Sequence, residues 1–422
     1  MTMHNQPRER RLQDDFDEVR LRIGRGSIKW DVAGQVDPQS LPADPLLALS
    51  DRRLLLPMSL ADMEFRPPSA ILEALQRCVE RADFGYTRLT DRHREAICAW
   101  FARQYRWQLA PEWIIPGFGS VPALNLAIQA LTEPGDGVII QTPVFKPFAD
   151  SITSNGRRVI RNPLQVDASG RHVMDIDDLR IKAADPRARM LILCSPHNPV
   201  GRVWSRDELG VLAQICLARG IVVVADEVHA DIRRSNSSFH SLAEAAPAIA
   251  RQLVHLHGPS KTFNLAALKT STVIVPDDGL RRRMSAAFER INEAFGAGLF
   301  GLEAMHSAYT ACDDWLRSLT AYLDGNFEFL ADSLSALSSP NDGGIVLAPA
   351  EGTYLAWLRV DPSLTRGEIA SEMLRRRAGL LVDGGAGYGS ADEHWIRINL
   401  ACPRAMLIEA MTRFRRALLP ES

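Results

Sequence analysis

The chain has 422 residues, 46% of them hydrophobic, and a formal net charge of −2 at pH 7. That length exceeds what a single hydrophobic core fills, so two domains are expected. The near-zero charge gives no electrostatic footprint for nucleic acid or an anionic membrane surface, and no run of about 18 apolar residues could span a bilayer.

Six cysteines (Cys78, Cys98, Cys194, Cys216, Cys312 and Cys402) lie far apart without Cys-x-x-Cys or Cys/His ligand spacing. This argues against a disulfide scaffold and against a metal site, and it points to a reducing compartment, the cytoplasm. The N-terminal stretch "MTMHNQPRERRLQDDFDEVR" has no apolar segment of the signal-peptide kind.

In chain order, residues 1–26 are charged and lack a clear period, so a flexible arm is expected, with ordered structure starting near "IKWDV". Residues 27–67 are expected to pack on the smaller domain. From 68 to 295, short apolar runs alternate with helical periodicity. "PSAILEALQRCVERA" is helix-like, "WIIPG" is strand-like, and "VPALNLAIQALTEPGD" puts Val121, Leu124, Ile128 and Leu131 on one helical face. Then come "GVIIQTP", "RMLILCSP", "DELGVLAQICLARG", "IVVVADE", "QLVHLHGPS" and "TSTVIVPD". Near-continuous Val/Ile/Leu strands between helices predict an α/β domain built on a mostly parallel sheet buried on both faces. Only the last two strands lack room for a helix between them, so that pair is expected to be antiparallel. Residues 296–422 read as an interdomain helix followed by a smaller α+β domain.

Ligands of open α/β sheets sit beyond the carboxyl ends of the strands, so the residues just after each apolar run are the candidates. After "WIIP" comes "GFGSVPALN", where Gly119, Ser120 and Val121 open a helix whose free N–H groups suit a phosphate; the same pattern also begins many ordinary helices. After "RMLILC" comes "SPHNPVG", with Asn198 between prolines, placed either to aim an amide at a ligand oxygen or to close an Asx turn. After "IVVVA" comes "DEVHAD", where Asp226 needs a cation or proton once buried and His229 can share its site. After "QLVHLH" comes "GPSKT", with Lys261.

Lysine is scarce in this chain, with only five (Lys29, Lys146, Lys182, Lys261 and Lys269) among 49 basic residues. Only lysine offers an amine able to attack a carbonyl. One ligand accounts for an amine, a carboxylate, an amide and a phosphate nest on one edge: pyridoxal phosphate. Lys261 would bind its aldehyde, Asp226 would hold the pyridinium proton, Asn198 would bond the ring oxygen, and Ser260 and Lys269 would join the phosphate clamp. Lys29, Lys182, Trp30, Trp113, Trp204 and Trp357 read as structural, and Arg404 as a helix-start residue.

The ordered set "FGYT", "GSVPALNLAI", "SPHNPVGRVW", "DEVHAD", "SKTFNLAALK" and "RINLACPR" resembles the fold-type I pyridoxal-phosphate enzymes. Within the class I/II aminotransferase superfamily it is most similar to the cystathionine beta-lyase type of C–S lyase. The resemblance, from about Ile28 to Leu418, implies a large domain with a mostly parallel seven-stranded sheet and a smaller α+β domain. It also implies a homodimer with shared sites, in which Tyr86 reaches the phosphate of the neighbouring subunit. Phe145 would stack on the cofactor ring, His229 would stand near the ring oxygen, and Arg397 would clamp the substrate α-carboxylate.

Departures from the pattern fall at Ser59, Phe145, Lys146 and Ala267. The first three either open and recharge the substrate side, for an S-substituted cysteine bulkier than cystathionine with a polar or anionic group near Lys146, or reflect drift at weakly constrained positions that leaves a cystathionine-like substrate. The implied reaction is β-elimination to thiol, pyruvate and ammonia. Transamination, decarboxylation or oxidation of the amino acid, and a cofactor-binding regulator without activity are the alternatives that the same residues leave open.

Overall fold

The computed structural model describes residues 15–291, 297–335, 337 and 344–418. Seven strands form the central sheet: β1 (Ile114–Gly117), β2 (Gly137–Ile140), β3 (Arg158–Arg161), β4 (Ala188–Cys194), β5 (Val222–Asp226), β6 (Leu253–His257) and β7 (Ser271–Ile274), in the spatial order β1-β7-β6-β5-β4-β2-β3. All neighbours are parallel except at β7, which runs antiparallel to both β6 and β1. The β6–β7 pair is the one the sequence left without a connecting helix.

The sheet is buried on both sides, and its side chains divide by the strand period of two. In β4, Met190, Ile192 and Cys194 face a layer made by α3 (Ser120–Leu131), α4 (Pro147–Ser154) and α6 (Asp278–Arg290), while Leu191 and Leu193 face α5 (Arg206–Arg219). Helix α3 buries Ala123, Leu124, Leu126, Ala127, Ile128 and Leu131. Val121, expected on that apolar face, instead turns toward a cavity at the sheet edge.

A second core lies under a four-stranded antiparallel sheet: β8 (Ile345–Leu347), β9 (Leu355–Val360), β11 (Trp395–Asn399) and β10 (Asp383–Gly384), in that spatial order. The N-terminal segment joins it. Leu56–Pro57 pairs in parallel with Leu380–Leu381, and Trp30, Leu49, Leu54 and Met58 pack among the residues of this sheet and of α9 (Ala370–Ala378) and α10 (Arg404–Leu418). Helix α8 (Asp313–Ser335) links the two cores. Its first half buries Trp315, Leu319 and Leu323 against α2 (Asp91–Tyr105) and α7 (Leu299–Ala311), and its second half buries Phe327, Leu330 and Leu334 in the small-domain core.

The expected flexible arm is corrected over its described part. Phe16 packs its ring 5.1 Å from Phe65, 5.5 Å from Trp315 and 5.4 Å from Tyr322. Arg22 bridges Asp62 at 3.1 Å and Glu64 at 3.0 Å. Charges that read as solvated in sequence find partners about 40 residues away, and one aromatic ring contributes dispersion contacts that a period search does not register. Residues 1–14 of the expected arm, and the expected boundary at 295/296, lie outside the described residues. No helix among the described residues is long and apolar enough to cross a membrane.

Candidate active site

Strands β4, β5 and β6 end side by side, with Cys194 opposite Asp226 and Asp226 opposite Leu256. Each run of buried residues therefore delivers its next polar residue to the same edge. Asp226 ends β5, Asn198 follows β4, and Ser260 and Lys261 follow β6. Gly119, Ser120 and Val121 lie where β1 turns into α3, and Phe145 lies where β2 turns into α4.

These residues, with His229 and Lys269, line one cavity of about 250 Å³, together with Ala61, Phe118 and Thr270 among others. Gly119 sits at φ +129°, a conformation that a side chain rarely tolerates, and its N–H donates to Ser271 Oγ at 3.1 Å. The N–H groups of Ser120 and Val121, in the first turn of α3, remain for a phosphate. Lys269, also in the left-handed region at φ +51°, lines the same cavity.

The electrostatics are those of a desolvated site. Burial pushes the Asp226 carboxyl up to about 6, against a lowering influence from the Val228 N–H, which donates to Oδ1 at 3.3 Å. Burial, then repulsion by Arg397, lowers the Lys261 amine to about 8, while Asp62 and Asp226 pull it the other way. Lys261 Nζ donates to the Ala61 carbonyl at 2.7 Å, an oxygen that also accepts from Tyr354 at 3.0 Å. His229 is buried and held neutral, mainly by desolvation, with Nδ1 unpartnered among the described residues. Asp226 forms no ion pair among the described residues, so a buried acid near neutrality lacks the cation it would need. An aromatic aldehyde phosphate meets each of these demands: a pyridine nitrogen for Asp226, a carbonyl carbon for Lys261, and an anionic tail for the start of α3.

Arg397, on β11, reaches the edge of this site. Its Nη1 donates to Asn198 Oδ1 at 3.0 Å and its Nη2 to the Ser59 carbonyl at 3.0 Å; Nη2 also contacts Asp383. Its Nε is buried without a partner among the described residues. Arg397 also lines a second cavity of about 440 Å³, with Leu60, Phe145, Lys146, Ser371, Glu372, Tyr388 and Glu393 among its walls.

Besides Arg397, three expected residues do not line the cofactor cavity. Ser59 enters only through its backbone carbonyl and lines neither cavity. Lys146 is exposed at the rim of the second cavity and pairs with Asp150 at 2.6 Å, one helical turn on. Tyr86 is fully exposed and does not line this chain's own cavity. Sequence reasoning passed over Ala61, whose carbonyl accepts from Lys261, Tyr354, which donates to that same carbonyl, and Asp383, which engages Arg397. Lys29 is structural, buried against Glu64 at 2.7 Å, and Arg404 opens α10.

Comparison with known proteins agrees with this geometry. A family model, aminotransferase class I and II, matches residues 56–414. Cystathionine beta-lyase PatB of Bacillus subtilis is 35% identical, covering 96% of this chain and 100% of its own length. Protein MalY of Escherichia coli is 29% identical, covering 93% and 96% respectively. Among solved structures, cystalysin from Treponema denticola, which contains a pyridoxal 5'-phosphate cofactor, superposes with a TM-score of 0.87 at 29% identity, covering 96% of this chain and 99% of that one. The PLP-bound C-S lyase from Staphylococcus hominis superposes with a TM-score of 0.86 at 26% identity, covering 97% and 99%. With a family model spanning most of its length and a relative at 35% identity end to end, this chain belongs to the class I and II aminotransferase family.

Proposed function

We propose that this protein is a pyridoxal-phosphate-dependent C–S lyase that carries out β-elimination on an S-substituted L-cysteine, releasing thiol, pyruvate and ammonia. The observation that carries the reading is the convergence of Lys261, Asp226, Asn198 and the Arg397 guanidinium on one sheet edge. The relatives named as lyases favour elimination over the other fates of the same site.

When bound, pyridoxal phosphate supplies an electron sink for the charge left at the substrate Cα. The chain's own residues do the rest. Ser120, Val121, Ser260 and Lys269, which line the cavity, would hold the phosphate, and Phe145 would lie against the ring. Asp226, raised by burial and without a cation among the described residues, would hold the proton of the ring nitrogen. Asn198 has its oxygen engaged by Arg397, so its amide hydrogens are free for the ring oxygen. Lys261 anchors the aldehyde. Its amine, already shifted toward neutrality, would take the proton from the substrate Cα. Arg397 would bind the α-carboxylate through its fork, and His229, neutral and buried in the same cavity, would face the ring.

The second cavity, reached past Phe145 and Arg397, would take the S-substituent. Lys146 at its rim would meet a polar or anionic group, exchanging Asp150 for it. We also read the protein as a homodimer whose exposed Tyr86 completes the neighbouring subunit's phosphate site. The six free cysteines fit a reducing, cytoplasmic setting.

The test is to incubate the purified protein with L-cystathionine, with neutral and anionic S-substituted cysteines, and with an amino acid plus 2-oxoglutarate. Pyruvate and free thiol in equal amounts are expected. Stoichiometric glutamate would replace elimination by transamination, and an aldehyde would point to decarboxylation or oxidation.

A further inference from the structure

The end of β5 and the turn after it carry three buried acids, Asp226, Glu227 and Asp231; Glu227 accepts from the Leu242 N–H at 2.9 Å and lies 2.9 Å from His255 Nε2, away from the site. Asp226 faces the cofactor cavity. Asp231, five residues on, does not line that cavity and is 3% exposed. Its Oδ2 accepts from Thr262 Oγ1 at 2.7 Å, and its Oδ1 from Trp100 Nε1 at 3.2 Å and from the Tyr105 hydroxyl. His257 Nε2 stands 3.7 Å from Oδ2 and 2.9 Å from the Tyr105 oxygen, and His257 Nδ1 is 3.1 Å from the Tyr309 hydroxyl. A network this deep is costly unless every member is satisfied, and only a carboxylate has the lone pairs to accept from three donors at once.

Thr262 is fully buried and directly follows Lys261 in the single helical turn Pro259–Thr262. That turn is short. Its internal backbone tie beyond Phe263 N–H to Pro259 (3.0 Å) is the Leu265 N–H to Ser260 bond (3.0 Å). One turn of four residues does not hold itself rigid. Yet Lys261 has to leave the Ala61 carbonyl, bear the aldehyde and then reach the Cα proton, movements that belong to its side chain and need a fixed Cα.

We infer that Asp231 is a positioning residue for the reaction. By gripping the Thr262 hydroxyl it fixes the backbone turn that bears Lys261, and because it shares a segment with Asp226 it sets the amine and the ring-nitrogen carboxylate in register. The inference rests on the reading of Lys261 as the cofactor-bearing amine. Trp100 and Tyr105, both on α2, and Tyr309, on α7, tie this register to the helices behind the sheet.

The experiment uses holoenzyme and three variants: Asp231→Asn, Thr262→Val, which keeps shape and removes the hydroxyl, and Thr262→Ser, which restores it. Reduction with borohydride followed by peptide mapping first locates the cofactor in the wild type. Thr262→Val is expected to carry cofactor on Lys261 but with weakened visible circular dichroism, kcat lowered about tenfold or more and KM within about twofold, since small misplacement of a reacting group costs rate rather than binding. Thr262→Ser is expected to restore both dichroism and kcat. Wild-type dichroism and kcat in Thr262→Val with only a lowered Tm, or failure of the serine to rescue, would overturn the role of Asp231. Because Thr262→Val carries the decision, misfolding of Asp231→Asn leaves the result standing. Cofactor mapped to a residue other than Lys261 would instead overturn the functional reading, and the positioning role with it.

Discussion

Lys261 and Arg397 hold the same strap. Lys261 Nζ donates to the carbonyl of Ala61 at 2.7 Å, and Arg397 Nη2 donates to the carbonyl of Ser59 at 3.0 Å. Four more carbonyls of this strap, residues 59–65, are held by side chains: Leu60 and Asp62 by Asn399, Asp62 again by Lys29, and Met63 and Phe65 by Asn264. The two groups that would meet cofactor and substrate are thus parked on neighbouring backbone oxygens. Each would give up one hydrogen bond to a neutral acceptor on engaging its ligand, and the strap would keep its remaining anchors.

The parked amine has a consequence for cofactor capture. Only the neutral amine attacks an aldehyde, and Lys261 is lowered from 10.5 to about 8 by burial and Arg397. The rate at which cofactor-free protein captures pyridoxal phosphate should therefore climb about tenfold per pH unit below pH 8 and flatten above it. Stopped-flow absorbance between pH 6 and 10 checks this. A rate still climbing steeply at pH 10 would mean an ordinary, solvated lysine.

Asp226 trades stability for function. Its carboxyl is raised from 3.8 to about 6 by burial, so between those values the native state binds more protons than the unfolded one. The favourable contribution is complete below pH 3.8 and is lost as the pH rises through 6. At pH 7.5 the cofactor-free protein carries the full cost of the buried charge, about 3 kcal/mol from the shift. Asp226→Asn is expected to raise the melting temperature of the cofactor-free protein at pH 7.5, to leave it nearly unchanged at pH 4, and to lower kcat of the loaded protein by at least a hundredfold. A melting temperature at pH 7.5 that falls instead would show the acid to be paired and stabilising.

Arg397 is tested by its shape rather than its charge. Arg397→Lys keeps a cation near Asp383 but loses the fork that contacts Asn198 and Ser59 together. KM for an S-substituted cysteine should rise about a hundredfold, roughly 3 kcal/mol of lost carboxylate binding, with kcat changed less. A lowered kcat at constant KM would place Arg397 in the chemistry instead of in substrate binding.

What could be read from the sequence follows from how local its causes are. The parallel sheet was legible because "VVVA" and "LILC" are continuous apolar runs between helical periods, and the antiparallel β7 because no helix fits before it. Asp226, Asn198 and Lys261 were legible because strand ends deliver the next polar residue to one edge. The strap was not, because its contacts use backbone carbonyls, which look alike at every residue. Asp383 and Tyr354 were missed for a related reason: each meets the site from the small domain, and no spacing in the chain connects them to Arg397 or Lys261. Phe16 and Arg22 read in sequence as part of a loose arm because their partners lie some 40 to 300 residues away. Lys146 was legible as unusual, but its partner Asp150, at i+4 on the same helix, gives it an ordinary surface pairing as well.

The shared-site reading of Tyr86 is open to a subunit-mixing test. Tyr86 is fully exposed, Phe84 beside it is mostly exposed and leans on Phe300 at 5.9 Å, and Tyr86 does not touch the cofactor cavity of its own chain. An aromatic hydroxyl left in solvent on a loop is the kind of group an interface uses. Tyr86→Ala and Lys261→Ala proteins should each be nearly inactive. If Tyr86 serves the neighbouring subunit, a hybrid of the two places both defects in one site and leaves the other intact. Random mixing in equal amounts makes half of the dimers hybrids, each with one working site of two, so activity should return to roughly a quarter of wild type. If Tyr86 serves its own chain, each hybrid site holds one defect and mixing restores nothing. Unfolding and refolding the two proteins together, with activity normalised to the amount of dimer, separates these outcomes; a monomeric wild type would remove the shared site altogether.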